Sequence, residues 1–488
     1  MKIRLILVAA IMFGMVAPFG AEAFEIVGVR SLGMGGANVA AVRDGNASYW
    51  NPGMLGFYGE DSEAFKAVDN NDLAEKDWGF GLDAGAHLAV RGRLPEVVDT
   101  IGAIDFNGLS NAINANQTFT QQQIADALLL VNEIAKLGPK DAFTGGANGS
   151  LDVRVGHVAV AGHLIGGIAV SASADLNNLS FVPKQPKAAQ AMAQAFTGNT
   201  TLANLPPTQY FTTQQAQSLQ ASLKAQGLTA AQANAVIAQA DQALAANPQA
   251  AGQQQLIAQT ITTIAQTQAG GSFSNNQSKI AFRGAAVLEV PIAYGYAFLP
   301  YLSVGGALKL MQGRVFARDE RIFNQKSNNF TSQTATSTQQ TLGLDLGVAY
   351  RLEHFQAGLL LRNLNTPKFS TQIVDSYTGV TNRTYTVKLK PQLRAGLAWM
   401  PLNTVTLAAD FDLMANDTFF PGIQSQMASL GFEWDAFRVL ALRLGLMKDL
   451  KASDLGTMFS AGLGLNLWAA RIDIAGMMST KKAQYQGK

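Results

Sequence analysis

The 488-residue chain carries a formal net charge of +2, with 14% charged residues, 48% hydrophobic residues and no cysteine. Without thiols, a disulfide framework, a thiolate metal site and a cysteine nucleophile are all excluded. Near-neutrality leaves no electrostatic case for nucleic acid as a partner.

At the N-terminus, Lys2 and Arg4 flank an apolar stretch over residues 5–16, which is followed by Pro18, Gly20 and Ala21-Glu22-Ala23. This is the three-part layout of a secretory signal peptide, with cleavage expected after Ala23, so that residues 1–23 are removed. The stretch falls short of the ~20 apolar residues that a spanning helix requires. Beyond it, no apolar run is long enough for a helical span. A chain that is exported, poor in charge and apolar without apolar runs must spread its hydrophobicity by alternation, as a membrane-spanning barrel does.

The first mature segment, residues 24–60, holds Gly33, Met34, Gly35, Gly36, Asp44 and the pair Asn51-Pro52. Its glycines permit positive φ and close backbone packing, and Asn-Pro marks a turn, which predicts a compact, loop-rich piece. It is no phosphate loop, because the Gly-Lys-Ser/Thr ending is missing.

Strands are expected at residues 80–91, 151–160, 164–175 and 280–298, with a turn at Ala161-Gly162. Two inserts interrupt this rhythm. Residues 94–138 carry a helix pattern at Ile124, Leu128, Val131 and Leu137, with Thr120 and Gln123 spaced as a capping box. Residues 186–270 are rich in Ala and Gln, strong helix formers, and Thr229 with Gln232 forms a second box opening a helix that Asn247-Pro248 ends.

From Ile280 onward apolar residues recur at every second position, the period of a strand face. Leu342, Leu344, Leu346, Val348 and Tyr350 oppose Thr341, Gly343, Asp345, Gly347, Ala349 and Arg351. The split recurs around Leu393 to Trp399, Val405 to Leu413, Leu440 to Leu446 and Phe459 to Leu467. The non-oily faces are mostly Gly, Ala and Ser, whereas the outer face of a soluble sandwich is usually richly charged. That favours lipid outside and a polar lumen inside. Short connections near 299–300, 352–354, 401–403, 435–437 and 468–470 alternate with long polar ones at 323–338, 374–382, 415–426 and 449–456. About 13 strands are legible, and a stub near 483–486 would bring the total to an even number. The expected fold is an all-β, antiparallel transmembrane barrel of about 14 strands over residues 61–488. Strand parity puts both inserts on the outer side.

Charged residues that alternate toward the lumen are Asp345, Arg351, Arg362, Arg394, Asp410, Asp412, Glu433, Arg443, Arg471 and Asp473. Both signs occur and buried charges need partners, which favours an internal salt-bridge lattice over an Arg-lined substrate path. The four histidines, His87, His157, His163 and His354, lack an adjacent carboxylate pair that would complete a metal shell, so no metal is expected. No nucleophile elbow, Ser-His-Asp spacing or acid-base pair stands out, and neither an enzyme nor a cofactor is expected.

The segment Arg30-Ser31-Leu32-Gly33-Met34-Gly35-Gly36-Ala37, with Asp44 and Asn51-Pro52-Gly53, resembles the N-terminal hatch of FadL-type outer-membrane barrels. It is also similar to PorV-like relatives and to the TraF-like group of conjugal transfer proteins. Arg362-Asn363-Leu364-Asn365, residues 391–398, Asp410-Phe411-Asp412-Leu413 and residues 442–445 look closest to the TraF-like group. The resemblance implies a protein embedded in outer-membrane lipid, with residues 24–60 as the hatch. It implies a conduit for small hydrophobic molecules or, alternatively, a non-transporting scaffold whose helical inserts bind envelope proteins. An apolar path past Asn51 and Pro52 would favour the conduit. A lumen closed by inward Arg and Asp groups, with an apolar stripe on the inserts, would favour the scaffold.

Overall fold

In the computed structural model the described residues are 25–58, 78–94, 141–175, 200–225, 227–246, 277–321, 336–420, 422–436, 439–452, 454–467 and 471–480, with isolated positions within 97–138 and at 197 and 258. In chain order the strands are β1 (Trp78–Val90), β2 (Ala142–Val155), β3 (Val158–Ser173), β4 (Lys279–Leu299), β5 (Leu302–Arg321), β6 (Thr336–Leu352) and β7 (Phe355–Arg362). Next come β8 (Lys368–Asp375), β9 (Gly379–Lys388), β10 (Gln392–Leu402), β11 (Val405–Asp412), β12 (Asn416–Asp417) and β13 (Gln424–Ser425). The series closes with β14 (Met427–Ala436), β15 (Leu440–Asp449), β16 (Thr457–Asn466) and β17 (Arg471–Ser479).

One 15-stranded sheet runs β1-β2-β3-β4-β5-β6-β7-β10-β11-β14-β15-β16-β17, with antiparallel neighbours along this path. Among the described residues β1 and β17 are its two edges. The β8–β9 hairpin leaves the path and joins β5 by a short parallel contact, and β12 pairs with β13 separately. Alternation dictates the faces. In β6, Leu342, Leu344, Leu346 and Val348 are exposed while Asp345 and Ala349 are buried.

The expected turn at Ala161-Gly162 is corrected. β2 and β3 meet at Gly156-His157, with Val155 opposite Val158, and residues 161 and 162 lie within β3. Gly156 takes φ +49°, the left-handed conformation that a two-residue hairpin turn needs. β2 therefore begins at Ala142, upstream of the expected start at 151. Residues 374–382 are likewise no long loop, since they form the tight end of the β8–β9 hairpin. The helix expected at 124–137, the stub at 483–486, residues 1–23 and the loop at 322–335 lie outside the described residues or are only fragmentarily described.

The helices are α1 (Val29–Gly33), α2 (Ala47–Trp50), a 3-10 helix (Pro52–Phe57), α3 (Thr213–Ala225) and α4 (Ala230–Ala246). Thr229 and Gln232 cap α4 reciprocally, with backbone N–H donors to Gln232 Oε1 at 2.9 Å and to Thr229 Oγ1 at 3.2 Å. Leu219 and Leu223 of α3 and Val236 and Ile237 of α4 are buried where the two helices meet. Among the described residues no helix is long and apolar enough to cross a membrane, which leaves crossing by strands untouched.

Candidate functional site

Residues 25–58 lie against the buried face of the sheet. α1 touches β15, β16, β17 and β1, α2 touches β3 and β4, and the 3-10 helix touches β4 to β7. Since these strands include both edges and the middle of one sheet, the sheet must curl around the segment. Where the two backbones meet, the wall residue is glycine. Gly295, Gly305, Gly347, Gly358, Gly396, Gly431 and Gly445 each stand where an added Cβ would collide with residues 34–56, and at Gly462 it would press on Gly33 Cα at 3.1 Å. At β11 the same role falls to Ala408, which packs with Met34, Ala37 and Ala40.

The motif residues hold this piece in shape. Gly35 and Gly36 turn the chain after α1 at φ +65° and +81°. Fully buried Asn51 donates from Nδ2 to the Val39 and Val348 carbonyls, both at 3.1 Å, and accepts from Gly53 N–H at 3.0 Å. Pro52 opens the 3-10 helix, where a missing N–H costs nothing. Asp44 accepts from Asn46 N–H at 3.0 Å. Trp50 Nε1 donates to Val27 O and Tyr49 OH to Glu25 O, each at 2.8 Å.

Register sorts the inward charges into groups. Glu433 on β14 accepts from Arg30 of α1 at 2.8 Å and from Arg443 of β15 at 2.6 Å, and Asp473 accepts from Arg443 at 2.8 Å and from Arg471 at 3.2 Å. Arg362 pairs with Glu289 at 2.7 Å and with Asp345 at 3.6 Å, and Lys309 lies 3.0 Å from Asp345. The Arg362 guanidinium also stacks 3.9 Å over the Tyr49 ring. Burial pushes the Tyr49 phenol above its ordinary value, against the pull of Arg362. Arg394 pairs with Asp412 at 2.6 Å, while Asp410 accepts the backbone N–H groups of Asn38 and Val39 at 2.8 and 2.9 Å. The Arg351 guanidinium lies 5.9 Å over the Phe57 ring.

Sequence reasoning missed Arg30, Glu289 and Lys309. Lys309 was legible in principle, since it alternates with the outward Leu308 and Leu310. The histidines are dispersed. His163 is buried 5.1 Å from the Tyr49 ring, His157 Nδ1 lies 3.1 Å from Leu55 O, and His354 is exposed. Among the described residues no group of His, Asp and Glu is arranged to hold a metal.

Between the edge strands, α1 forms part of the wall. Val29 N–H donates to Asp83 Oδ1 of β1 at 3.2 Å. Ile26, Val29 and Leu32 are partly exposed, and Ile26 and Leu32 pack on the buried quartet Met427, Met447, Met458 and Met477. An open apolar groove of about 1510 Å³ runs along β10, β11 and β14 to β17, past Trp399, Leu430, Leu444 and Phe459. It reaches Val29, Leu32 and Ala84 to Ala86 of β1.

The long-connection end is capped from within. Phe369, Ile373, Tyr385 and Val387 of the β8–β9 hairpin pack on Val287, Met311 and Val315, the buried faces of β4 and β5. Asp319 ties the hairpin down by accepting from Lys279 and Arg283 at 2.6 Å and from Arg383 of β9 at 2.8 Å. The connection from β11 to β14 crosses the interior, because its Phe420 packs on Ala142 of β2 and Ala169 of β3.

A curled, predominantly antiparallel sheet with its own N-terminal segment buried against the concave face defines a β-walled protein with a filled centre. More specifically, residues 64–412 match the family model described as "F plasmid transfer operon, TraF, protein", and the chain belongs to that family. No functionally curated protein matches the chain. Among solved structures, it is similar to the toluene transporter TbuX of Ralstonia pickettii, with 11% identity over 96% of this chain and 95% of that one and a TM-score of 0.42. The toluene transporter TodX of Pseudomonas putida is 12% identical over 94% of each chain, with a TM-score of 0.38. A monoaromatic hydrocarbon channel, CymD, gives the same identity, coverage and TM-score as TodX.

Proposed function

We propose that the protein is an outer-membrane barrel that conducts small hydrophobic compounds, with residues 24–60 as its hatch and exit sideways rather than along the axis. The observation that carries this is the apolar groove reaching Val29 and Leu32 between β17 and β1. There, among the described residues, a short helix packed on flexible methionines stands between β17 and β1, which are not joined by a hydrogen-bond ladder. Membrane embedding is supported by the exposed aromatics near the short-turn end, Trp78, Tyr294, Tyr296, Tyr301, Trp399 and Trp434, placed as interfacial girdles are. On this reading residues 1–23 are a cleaved signal peptide, and the inserts at 94–138 and 186–270 lie on the outer side.

A second reading, a non-transporting scaffold of an envelope assembly, is favoured by the close contact of Asn51, Pro52 and Gly53 with Gly305, Gly347 and Gly358, which fills the inner side of β5 to β7 at that level. Uptake of labelled toluene and of a longer alkane by a deletion strain, with and without the restored gene, separates the two. The conduit requires restored uptake of at least one compound. Unchanged uptake of both, with the protein present in outer-membrane fractions, would remove it in favour of the scaffold.

A further inference from the structure

A second cavity, of about 730 Å³, lies between the β8–β9 hairpin, the 413–426 connection and the far ends of β1 and β15. Its size is that of a small-molecule site. Part of its lining is apolar and aromatic, from Ile373, Tyr385, Phe419 and Phe420. The rest is charged and one-sided, with Arg91, Arg283, Lys388, Lys390 and Lys451 against the single acid Asp417.

Pairing decides how much of that charge is free. Lys390 is matched by Asp417 at 2.5 Å, Arg283 by Asp319 at 2.6 Å and Arg91 by Asp454 at 3.4 Å. Among the described residues, Lys388 and Lys451 have no acidic partner. The exposed Lys388 and Lys451 thus share one cavity with Tyr385, Phe419 and Phe420. A neutral hydrocarbon would cover the rings and leave the ammonium groups unmatched. A small hydrated anion such as sulfate would do the reverse. A molecule with a flat apolar body and one anionic group satisfies both surfaces.

We infer that this outer vestibule binds an aromatic organic anion, a carboxylate or sulfonate, with its ring against Tyr385, Phe419 and Phe420 and its charge toward Lys388 and Lys451. The inference goes beyond the proposed conduit and stands or falls separately, because it concerns binding and not passage.

The test is calorimetric titration of the full-length protein in detergent micelles with 2-naphthoate and with its neutral isostere 2-naphthamide, each corrected against protein-free micelles. The expected result is tighter binding of naphthoate, by about tenfold, weakening as salt is raised. The double variant Lys388→Gln/Lys451→Gln should weaken naphthoate by about three- to tenfold, the range two solvent-exposed charge pairs supply, and leave naphthamide unchanged. Phe420→Ala should weaken both ligands alike. Equal affinity for the two ligands, or a double variant that binds naphthoate as the parent does, would overturn the assignment. So would sodium sulfate displacing naphthoate at equal concentration, which would mean a site for charge alone.

Discussion

The contact between α1 and the wall makes a sharp prediction at Gly431 on β14. A methyl group built there would stand 2.7 Å from the Met34 carbonyl oxygen and 2.9 Å from Met34 Cβ. Carbon atoms in comfortable contact sit about 3.5–4.0 Å apart, so Met34 would have to retreat by on the order of 1 Å. It has nowhere to go. Met34 is fully buried among Ala37, Ala40, Ala398 and Ala408, and neighbouring Arg30 is anchored on Glu433, two positions along the same strand. Overpacking of this kind costs roughly 1–3 kcal/mol. Alanine in place of glycine within a strand returns about 0.5–1 kcal/mol. Gly431→Ala should therefore destabilise by up to about 2.5 kcal/mol, whereas Gly162→Ala, where an added Cβ meets nothing within 4 Å, should be neutral or stabilising. Urea unfolding in micelles reads the two signs. Hydrogen exchange over residues 28–42 should show lost protection in the Gly431 variant alone. If both variants shift the midpoint the same way and exchange in the segment is unchanged, the close approach does not hold the segment and the reasoning fails.

Further outcomes follow from the same contacts. Asn51→Ala removes the partner of the buried Val39 carbonyl and of the Gly53 N–H and should cost about 2–4 kcal/mol, at ~1–3 kcal/mol per unsatisfied group with incomplete additivity. Chemical denaturation checks the size, and a loss below 1 kcal/mol would mean that water replaces the amide. Glu433→Ala leaves Arg30 and Arg443 without their shared carboxylate and should cost about 3–5 kcal/mol, whereas the paired removal Arg30→Met/Glu433→Leu should recover only the Arg30 share, because Arg443 stays buried with Asp473 alone. A double-mutant cycle with no coupling would refute the pairing. In vesicles, lipids brominated near the headgroup should quench Trp399 and Trp434, both outward and near the short turns, more strongly than lipids brominated at the chain ends. The opposite order would misplace the aromatic girdle.

The strands were legible because period-2 alternation is a local property, readable without knowing the partner strand. The β2–β3 turn shows how that reading slips. Val153 and Val155 sit on odd positions and Val158 and Val160 on even ones, and this change of phase marks the two-residue turn between them. Gly162 attracted the turn instead, although it lies within β3, where an added Cβ would meet nothing within 4 Å. The β8–β9 hairpin escaped notice because it folds back onto the inner surface, so Phe369 and Tyr385 are buried with no exposed apolar stripe to announce them. For the site, alternation identified which charges turn inward, and it could not say which meet. Glu433 faces Arg443 through strand register, but its contact with Arg30 depends on where a separate segment lodges. The vestibule is formed by connections distant in the chain and carries no periodic signal at all.

The Arg30–Glu433 contact links positions separated by 403 residues, and Ser460 reaches Gly33 over 427. The segment around Arg30 and Gly33 thus finds its seat only after almost the whole polypeptide has been made. Until then, its apolar side chains and a half-built wall stay exposed together, and such distant pairings form slowly. The chain should need an escort during delivery, and truncation of its last three strands should release the N-terminal segment to proteases.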